Sequence, residues 1–525
     1  MTVHIDGGSL TIEDAVRVAR HGERVEVTPS ARERMERARE VIEEVLSGGA
    51  VVYGVNTGFG KFSDVVIPED QLDLLSKNLI VSCCVGVGRP FDTEVVRAML
   101  LLRANSLAVG NSGVRPLVVD GLVEMLNKRV HPVVPQKGSV GSSGDLAPLS
   151  HLAVVLLGGG KAVYEGEVLP GAVALQRAGM EPLRLKAKEG LSLSNGTQAM
   201  TAVGALAVYD AERLADTADI AGALSAEALE AVPFAFDERI HKSRPHVGQS
   251  TTARNLRRLL DGSDILAGAT HGRLQDAYAL RCMPQVHGAS RDAIAYVKNV
   301  IETEINSVTD NPLVFADEHE VISGGNFHGQ PVALAMDFLT IALAELANIS
   351  ERRTERMMNP ALSGGLPAFL IEEGGINDGF MVAQYTAAAL VSENKVLAHP
   401  ACVDSIPTSA NQEDHVSMGT ISARQAREVL ENVEHVLAIE LMCACQGVEF
   451  RARKPAAPAQ RVCALIREKV DRLEADREMD LDIEAVAALI REGRLLDAAA
   501  QPADSGHGWS ESDDGDASPG SQRPW

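Results

Sequence analysis

The tripeptide Ser142-Ser143-Gly144, inside the run GSVGSSGDLAPLSHL from Gly138 to Leu152, has the residue types to build an electrophile from the chain itself. Attack of the Gly144 amide nitrogen on the Ser142 carbonyl carbon closes a five-membered ring. Two dehydrations, one of them removing the Ser143 hydroxyl, then leave an exocyclic methylidene, which accepts nucleophiles as no unmodified side chain does. Ring closure needs a sharply turned backbone, and Gly138, Gly141 and Gly144 remove the Cβ barrier to such a turn. Taken alone the tripeptide reads as a Gly/Ser surface loop, since Ser-Gly is a common turn pair.

The tripeptide is accompanied by other runs with chemically useful residues. These are YGVNTGFG at Tyr53–Gly60, LSLSNGTQ around Asn195, LQDAYALRC around Gln275, Tyr278 and Arg281, GGNFHGQPVA around Phe327, and SIPTSANQEDHVSMG around Glu413. The elements that must position them read as mainly α. A loop-rich first part, residues 1–200, holds most of the Gly-rich runs; a helical body covers 201–450, and a further helical segment 451–500. Ser30-Ala31-Arg32-Glu33 reads as a capping box opening a helix that stops at Gly48-Gly49. Ile294, Val297, Ile301, Ile305 and Val308 recur at helical spacing before Asp310-Asn311-Pro312 breaks the pattern. Alanine-rich, nearly all-apolar helices are predicted at about 332–358 and 382–397, and their lack of a wet face predicts burial in a bundle or between subunits. Residues 501–525 read as a disordered acidic tail, with both tryptophans and few aliphatics.

Composition narrows the function. A chain of 525 residues with 45% hydrophobic content can bury a large core, and a formal net charge of −23 argues against nucleic acid or an anionic membrane as partner. The N-terminus lacks a basic head followed by an apolar core, and the apolar stretch 332–346 contains Asp337 and Glu345, so the expectation is a cytoplasmic protein. Seven cysteines without a CxxC pair, and fourteen histidines without HExxH spacing, predict neither a disulfide framework nor a metal site. No Walker-type loop is present, because Val155 stands where the upstream glycine belongs and Ala162 follows Gly160-Lys161.

Together and in this order, the quoted runs resemble the aromatic amino acid ammonia-lyases and aminomutases over roughly residues 45–455. The resemblance implies the histidine/phenylalanine ammonia-lyase fold, with a cofactor-bearing N-terminal part followed by a long central helical bundle. It implies the cofactor 4-methylidene-imidazol-5-one (MIO), formed autocatalytically from Ser142, Ser143 and Gly144 with no external cofactor. Ser142 stands where the family usually has Ala, which puts a hydroxymethyl group on the ring away from the reactive carbon. The implied reaction is non-oxidative loss of ammonia from an L-amino acid to give an α,β-unsaturated acid. Tyr53 would take the β-proton, a task needing a phenol of lowered pKa. Arg281 would bind the substrate carboxylate, where a planar donor pair suits a planar acceptor. Asn195, Gln275 and Tyr278 would hold the carboxylate, amine and MIO oxygen, and Phe327 would wall the ring pocket. Asp145 would polarise the backbone during cyclisation or cap a helix. The family also implies a homotetramer whose sites combine three subunits, acting on a small molecule.

The residues that choose the substrate pull two ways. Glu413 in NQEDH and Met381 match the histidine ammonia-lyases, since a carboxylate facing a benzene ring would be costly. Cys83, in Ser82-Cys83-Cys84-Val85-Gly86, replaces a histidine that in those enzymes bonds the substrate ring, and Met283 replaces a glutamine; both lean toward phenylalanine. Histidine, giving trans-urocanate, is the leading substrate, with a phenylalanine or tyrosine lyase or an aminomutase as the alternative. A fumarase-type lyase is excluded by the absence of its GSSxMPxKxN loop, and a non-catalytic scaffold is disfavoured by intact Tyr53, Ser143 and Arg281.

Overall fold

Four long helices form the centre of the molecule: Gln198–Ala228, Met283–Glu304, Gln330–Met358 and Gly419–Glu449. The computed structural model describes residues 2–269 and 274–501, so the predicted acidic tail, apart from Gln501, lies outside the described residues. Alanine dominates the first of these helices and is the strongest helix former; its small side chain lets neighbours pack closely on every side. Its 31 residues are buried almost all round, against each of the other three.

A charged core stitches the bundle together. Arg353 donates through Nε and Nη2 to the two oxygens of Glu440, which also accepts from Ser225 and Ser350, each at 2.6 Å. His287 lies between Arg353 and Asp219, with Nδ1 2.8 Å from the Asp219 carboxylate. Both Arg353 and Glu440 have fully buried side chains, so removing either partner would leave an uncompensated buried charge.

The sequence expectations meet this architecture closely in the bundle and less so before it. The predicted helices at 332–358 and 382–397 are observed as Gln330–Met358 and Met381–Leu397. Gln330–Met358 is the one described helix long and apolar enough to cross a membrane, and two thirds of its apolar window (67%) is buried in the bundle. Met381–Leu397 differs: only Ala383, Ala387 and Asn394 are buried, and Val382, Tyr385 and Val396 stand exposed. The helix through Ile294 ends at Glu304, so Val308 lies beyond it. The early helix begins at Pro29 rather than Ser30, capped by Thr28, whose hydroxyl accepts from the Ala31 amide; Pro29 at the first helical position fixes the start there. It ends, as expected, with Gly49 in the left-handed region at φ 70°.

The first 200 residues hold more helix than the reading allowed. Thr93–Ala108 is a buried helix with no apolar stripe to betray it, since polar Arg97, Arg103, Asn105 and Ser106 are buried along with its leucines. Sheet is limited to short strands: the parallel pair Thr2–Ile5 and Arg24–Val27, the antiparallel pair Val87–Pro90 and Pro135–Lys137, and an antiparallel three-stranded sheet of His131–Pro132, Lys161–Tyr164 and Glu167–Pro170. The C-terminal helices Ala457–Arg467, Asp480–Glu492 and Arg494–Ala500 pack back on the bundle.

Candidate active site

The Ser142-Ser143-Gly144 loop is gripped from two sides. The Gly196 amide donates to the Ser143 carbonyl at 3.1 Å, and the Asp145 amide donates to the Gly196 carbonyl at 2.7 Å. From the other side the Met418 amide donates to the Val140 carbonyl at 3.0 Å, and the Ser417 hydroxyl to the Gly141 carbonyl at 3.4 Å. Gly144 has φ 71°, and a Cβ there would fall 2.0 Å from the Gly196 oxygen, so only glycine fits. The backbone is thus held turned where cyclisation requires it. Ser142 and Ser143 both line a cavity of 480 Å³.

Asp145 does not cap the helix it precedes, Leu146–Leu156. Its fully buried carboxylate accepts from the Met200 amide at 2.8 Å, in the first turn of the Gln198–Ala228 helix, and from the Thr420 and Ser139 hydroxyls. It therefore ties the tripeptide loop to two bundle helices. Burial outweighs these bonds and raises its pKa from 3.8 to about 6. The folded state then holds the proton more tightly than the unfolded chain does. The resulting stabilisation is full below the unfolded value and is lost as pH rises through about 6. It is on the order of 3 kcal/mol. Glu434 is shifted the same way, to about 7, so the test is the difference between wild type and Asp145→Asn in denaturant midpoint. That difference is expected to change between about pH 4 and pH 7 by this amount, and a pH-independent difference would remove the assignment.

Tyr53, Asn195, Phe327 and Glu413 join Ser142 and Ser143 around the cavity. Cys83 is not among its lining residues, yet the Glu413 charge is felt at both Cys83 and Tyr53. Glu413 is half-buried, with the Thr408 hydroxyl donating to it at 2.8 Å, so its carboxylate has a polar partner. Burial, chiefly, raises the Tyr53 pKa; the Glu413 charge raises it further, and a bond from the Gly60 backbone only partly offsets them. This is opposite to the lowered phenol expected of a base. Among the described residues, neither arginine nor lysine lines the cavity.

Gln275, Tyr278 and Arg281 stand apart from the cavity. They form their own group, with Arg281 donating to Gln275 Oε1 at 2.9 Å and lying 4.8 Å from the Tyr278 ring centroid. Gln275 is exposed and Tyr278 is 70% exposed. The structure of one chain therefore assembles the electrophile side of the predicted constellation and leaves this second group apart from it.

Two histidines escaped the sequence reading. His328 and His415 line the cavity with ring centroids 5.5 Å apart. Each adjoins or nearly adjoins a residue already singled out, Phe327 and Glu413, which was the available signal. Asn311, Ser323 and Gln412 also contribute, so polar residues outnumber Tyr53, Leu191 and Phe327 along the wall, although its surface is about equally polar and apolar.

A helical bundle presenting a turned Xaa-Ser-Gly tripeptide to a cavity, beside a tyrosine, is the arrangement that the resemblance to the amino acid ammonia-lyases implied. The sequence model of the aromatic amino acid lyase family matches residues 10–468, and the chain belongs to that family. A protein of Symbiobacterium thermophilum named histidine ammonia-lyase is 58% identical over 493 residues, covering 94% of this chain and 97% of its own. The crystal structure of histidine ammonia-lyase from Trypanosoma cruzi is similar at a TM-score of 0.89 and 46% identity, over 95% of both chains. Tyrosine aminomutase from Streptomyces globisporus is similar at a TM-score of 0.92 and 39% identity, over 96% of this chain and 99% of that one.

Proposed function

We propose that this protein is an MIO-dependent histidine ammonia-lyase, a cytoplasmic homotetramer that converts L-histidine to trans-urocanate and ammonia. The observation that carries the substrate is the cavity wall at the turned tripeptide, with Glu413, His328 and His415 where a benzene ring would want apolar contact. The relatives named histidine ammonia-lyase support the same reading. The partner is a small molecule, and neither nucleic acid nor membrane takes part.

Ser142, Ser143 and Gly144 would provide the ring, and its methylidene carbon would supply an electrophile, the chemistry a poor amine leaving group needs. The chain's own residues do the rest. Glu413 orients the imidazole by charge-assisted hydrogen bonding, and Phe327 walls it in. Tyr53 removes the β-proton through its phenolate oxygen. Burial and the Glu413 charge disfavour that charge state in the single chain, and positive charge entering the cavity favours it. The substrate ammonium is one source and Arg281 of another copy the second.

Because no arginine or lysine among the described residues lines the cavity, and the group of exposed Gln275 and Tyr278 with half-buried Arg281 stands apart from it, the working site is completed by a second copy. The exposed apolar side chains of Met381–Leu397, Val382, Tyr385 and Val396, support burial between subunits. Co-expression tests both parts. Ser143→Ala and Arg281→Met chains are each expected to be inactive on histidine, whereas co-expressed they regain turnover in mixed oligomers that pair one intact loop with one intact Arg281. Failure of the mixture to exceed the single variants, with mixed oligomers shown by mass, would rule out the shared site.

A further inference from the structure

The peptide unit between Asn195 and Gly196 is engaged at both ends. Its N–H donates to the Ser143 carbonyl oxygen at 3.1 Å, and its C=O accepts from Nη1 of Arg103 at 2.6 Å. Arg103 is a fully buried cation on the Thr93–Ala108 helix, and its Nε has no hydrogen-bond partner. It sits against Gly196 so closely that a Cβ on that glycine would lie 2.8 Å from Nη1. A guanidinium is a costly thing to bury, and a single neutral carbonyl and a hydroxyl at 3.4 Å are poor recompense for it.

The carboxylate that answers the Arg103 charge is itself shared. Lys188, also fully buried, donates to Asp310 Oδ2 at 2.7 Å, and Asp310 Oδ1 accepts from the Asn195 side-chain amide at 3.2 Å. Two cations, Arg103 and Lys188, thus share one carboxylate. Burial lowers the Arg103 pKa to about 10, which leaves it charged at neutral pH. Two other buried carboxyls belong to this turn, Asp145 at the start of the Gln198–Ala228 helix and Glu304 on Thr197, and burial shifts both toward the neutral acid.

The Ser143 carbonyl becomes the ring carbonyl when Gly144 nitrogen bonds to Ser142 carbon, and it is then conjugated with the methylidene on the Ser143 Cα. When a nucleophile bonds to the methylidene carbon, the C=C electron pair shifts and negative charge accumulates on that oxygen. The Gly196 N–H already points at it. We propose that Arg103 is a positioning and polarising residue for this reaction: by pulling on the Asn195 carbonyl it strengthens the Gly196 N–H as a donor to the Ser143 oxygen, and so makes the ring a better electrophile. A hydrogen bond at one end of a peptide reinforces the bond at the other, and donors prearranged where charge develops are among the largest contributions to catalysis. The geometry also fixes why residue 196 is glycine, at φ 144° with Arg103, Gln198 and Thr309 crowding its Cβ position.

This inference rests on the ring reading, and the experiment separates the two. Wild type, Arg103→Gln and Arg103→Lys are weighed intact to score the two-water deficit, then exposed to cyanide, and adduct formation is followed by mass. Cyanide needs neither Tyr53 nor Arg281, so its rate reports the electrophile and not substrate binding. With the deficit present in all three, Arg103→Gln is expected to slow adduct formation by about 10-fold and Arg103→Lys by less, a smaller loss than the roughly 10²–10³-fold for deleting such a donor outright. Equal rates in wild type and Arg103→Gln, ring present in both, would overturn the role of Arg103 and leave the ring reading intact. If Arg103→Gln does not fold or mature, Arg103→Lys decides: a slowed rate supports the role and an unchanged rate overturns it. A wild-type chain at its encoded mass would overturn the ring, and this inference with it.

Discussion

Ser143→Ala is expected to restore the encoded mass and to lower turnover by at least about 10³-fold, the scale of loss when the group carrying a covalent step is deleted. Alanine has no hydroxyl to lose, so the methylidene cannot form. The fold should survive. Ser143 is held through its backbone, by the Gly196 amide on its carbonyl, and this bond is independent of the side chain. Peptide mapping of wild type should place the two-water loss in a fragment containing residues 142–144. An unmodified wild-type protein with full activity would contradict the account, as would a Ser143→Ala variant that keeps the mass deficit.

The second large effect concerns substrate choice, with Cys83 and Glu413 as opposing levers. Glu413 lines the cavity, and Cys83, outside the lining, still feels its charge, so the two levers are electrostatically within reach of each other. For histidine, Cys83→His should raise kcat/KM by about 10-fold, the value of one hydrogen bond to the ring, and Glu413→Gln should lower it by about 10²-fold through loss of a charged partner. For phenylalanine the signs reverse: Cys83→His sets a polar group against benzene, and Glu413→Gln removes a charge from beside it. Phenylalanine turnover lost on Cys83→His, with histidine turnover indifferent to Glu413→Gln, would contradict histidine as the substrate.

What the sequence made legible follows from where each signal resides. The loop and its neighbours were readable because ring chemistry demands particular residues in an unbroken run, and the bundle was readable because alanine-rich apolar helices have no other stable place. Arg103, Lys188 and Asp310 were not. They are brought together from a helix, a turn and a loop far apart in the chain, and Arg103 lies in a helix whose buried polar residues erase the usual apolar stripe. Thr28 and Ser30 compete as helix caps, and only the geometry of Pro29 decides between them. Gln275, Tyr278 and Arg281 were recognised as residues, and their standing apart from the chain's own cavity could not be read from a linear motif, which says nothing of where its side chains lie in space. The direction of the Tyr53 pKa within the single chain was not legible either, because it is set by burial and by the Glu413 charge, which only the fold brings to the phenol.

The most direct test is to incubate the purified full-length protein separately with L-histidine, L-phenylalanine and L-tyrosine and to quantify the unsaturated acid and ammonia. The account predicts trans-urocanate and ammonia in equal amounts from histidine, at a kcat/KM far above that for cinnamate or coumarate formation. Faster cinnamate or coumarate formation, a β-amino acid in place of ammonia, or no product from histidine would contradict it.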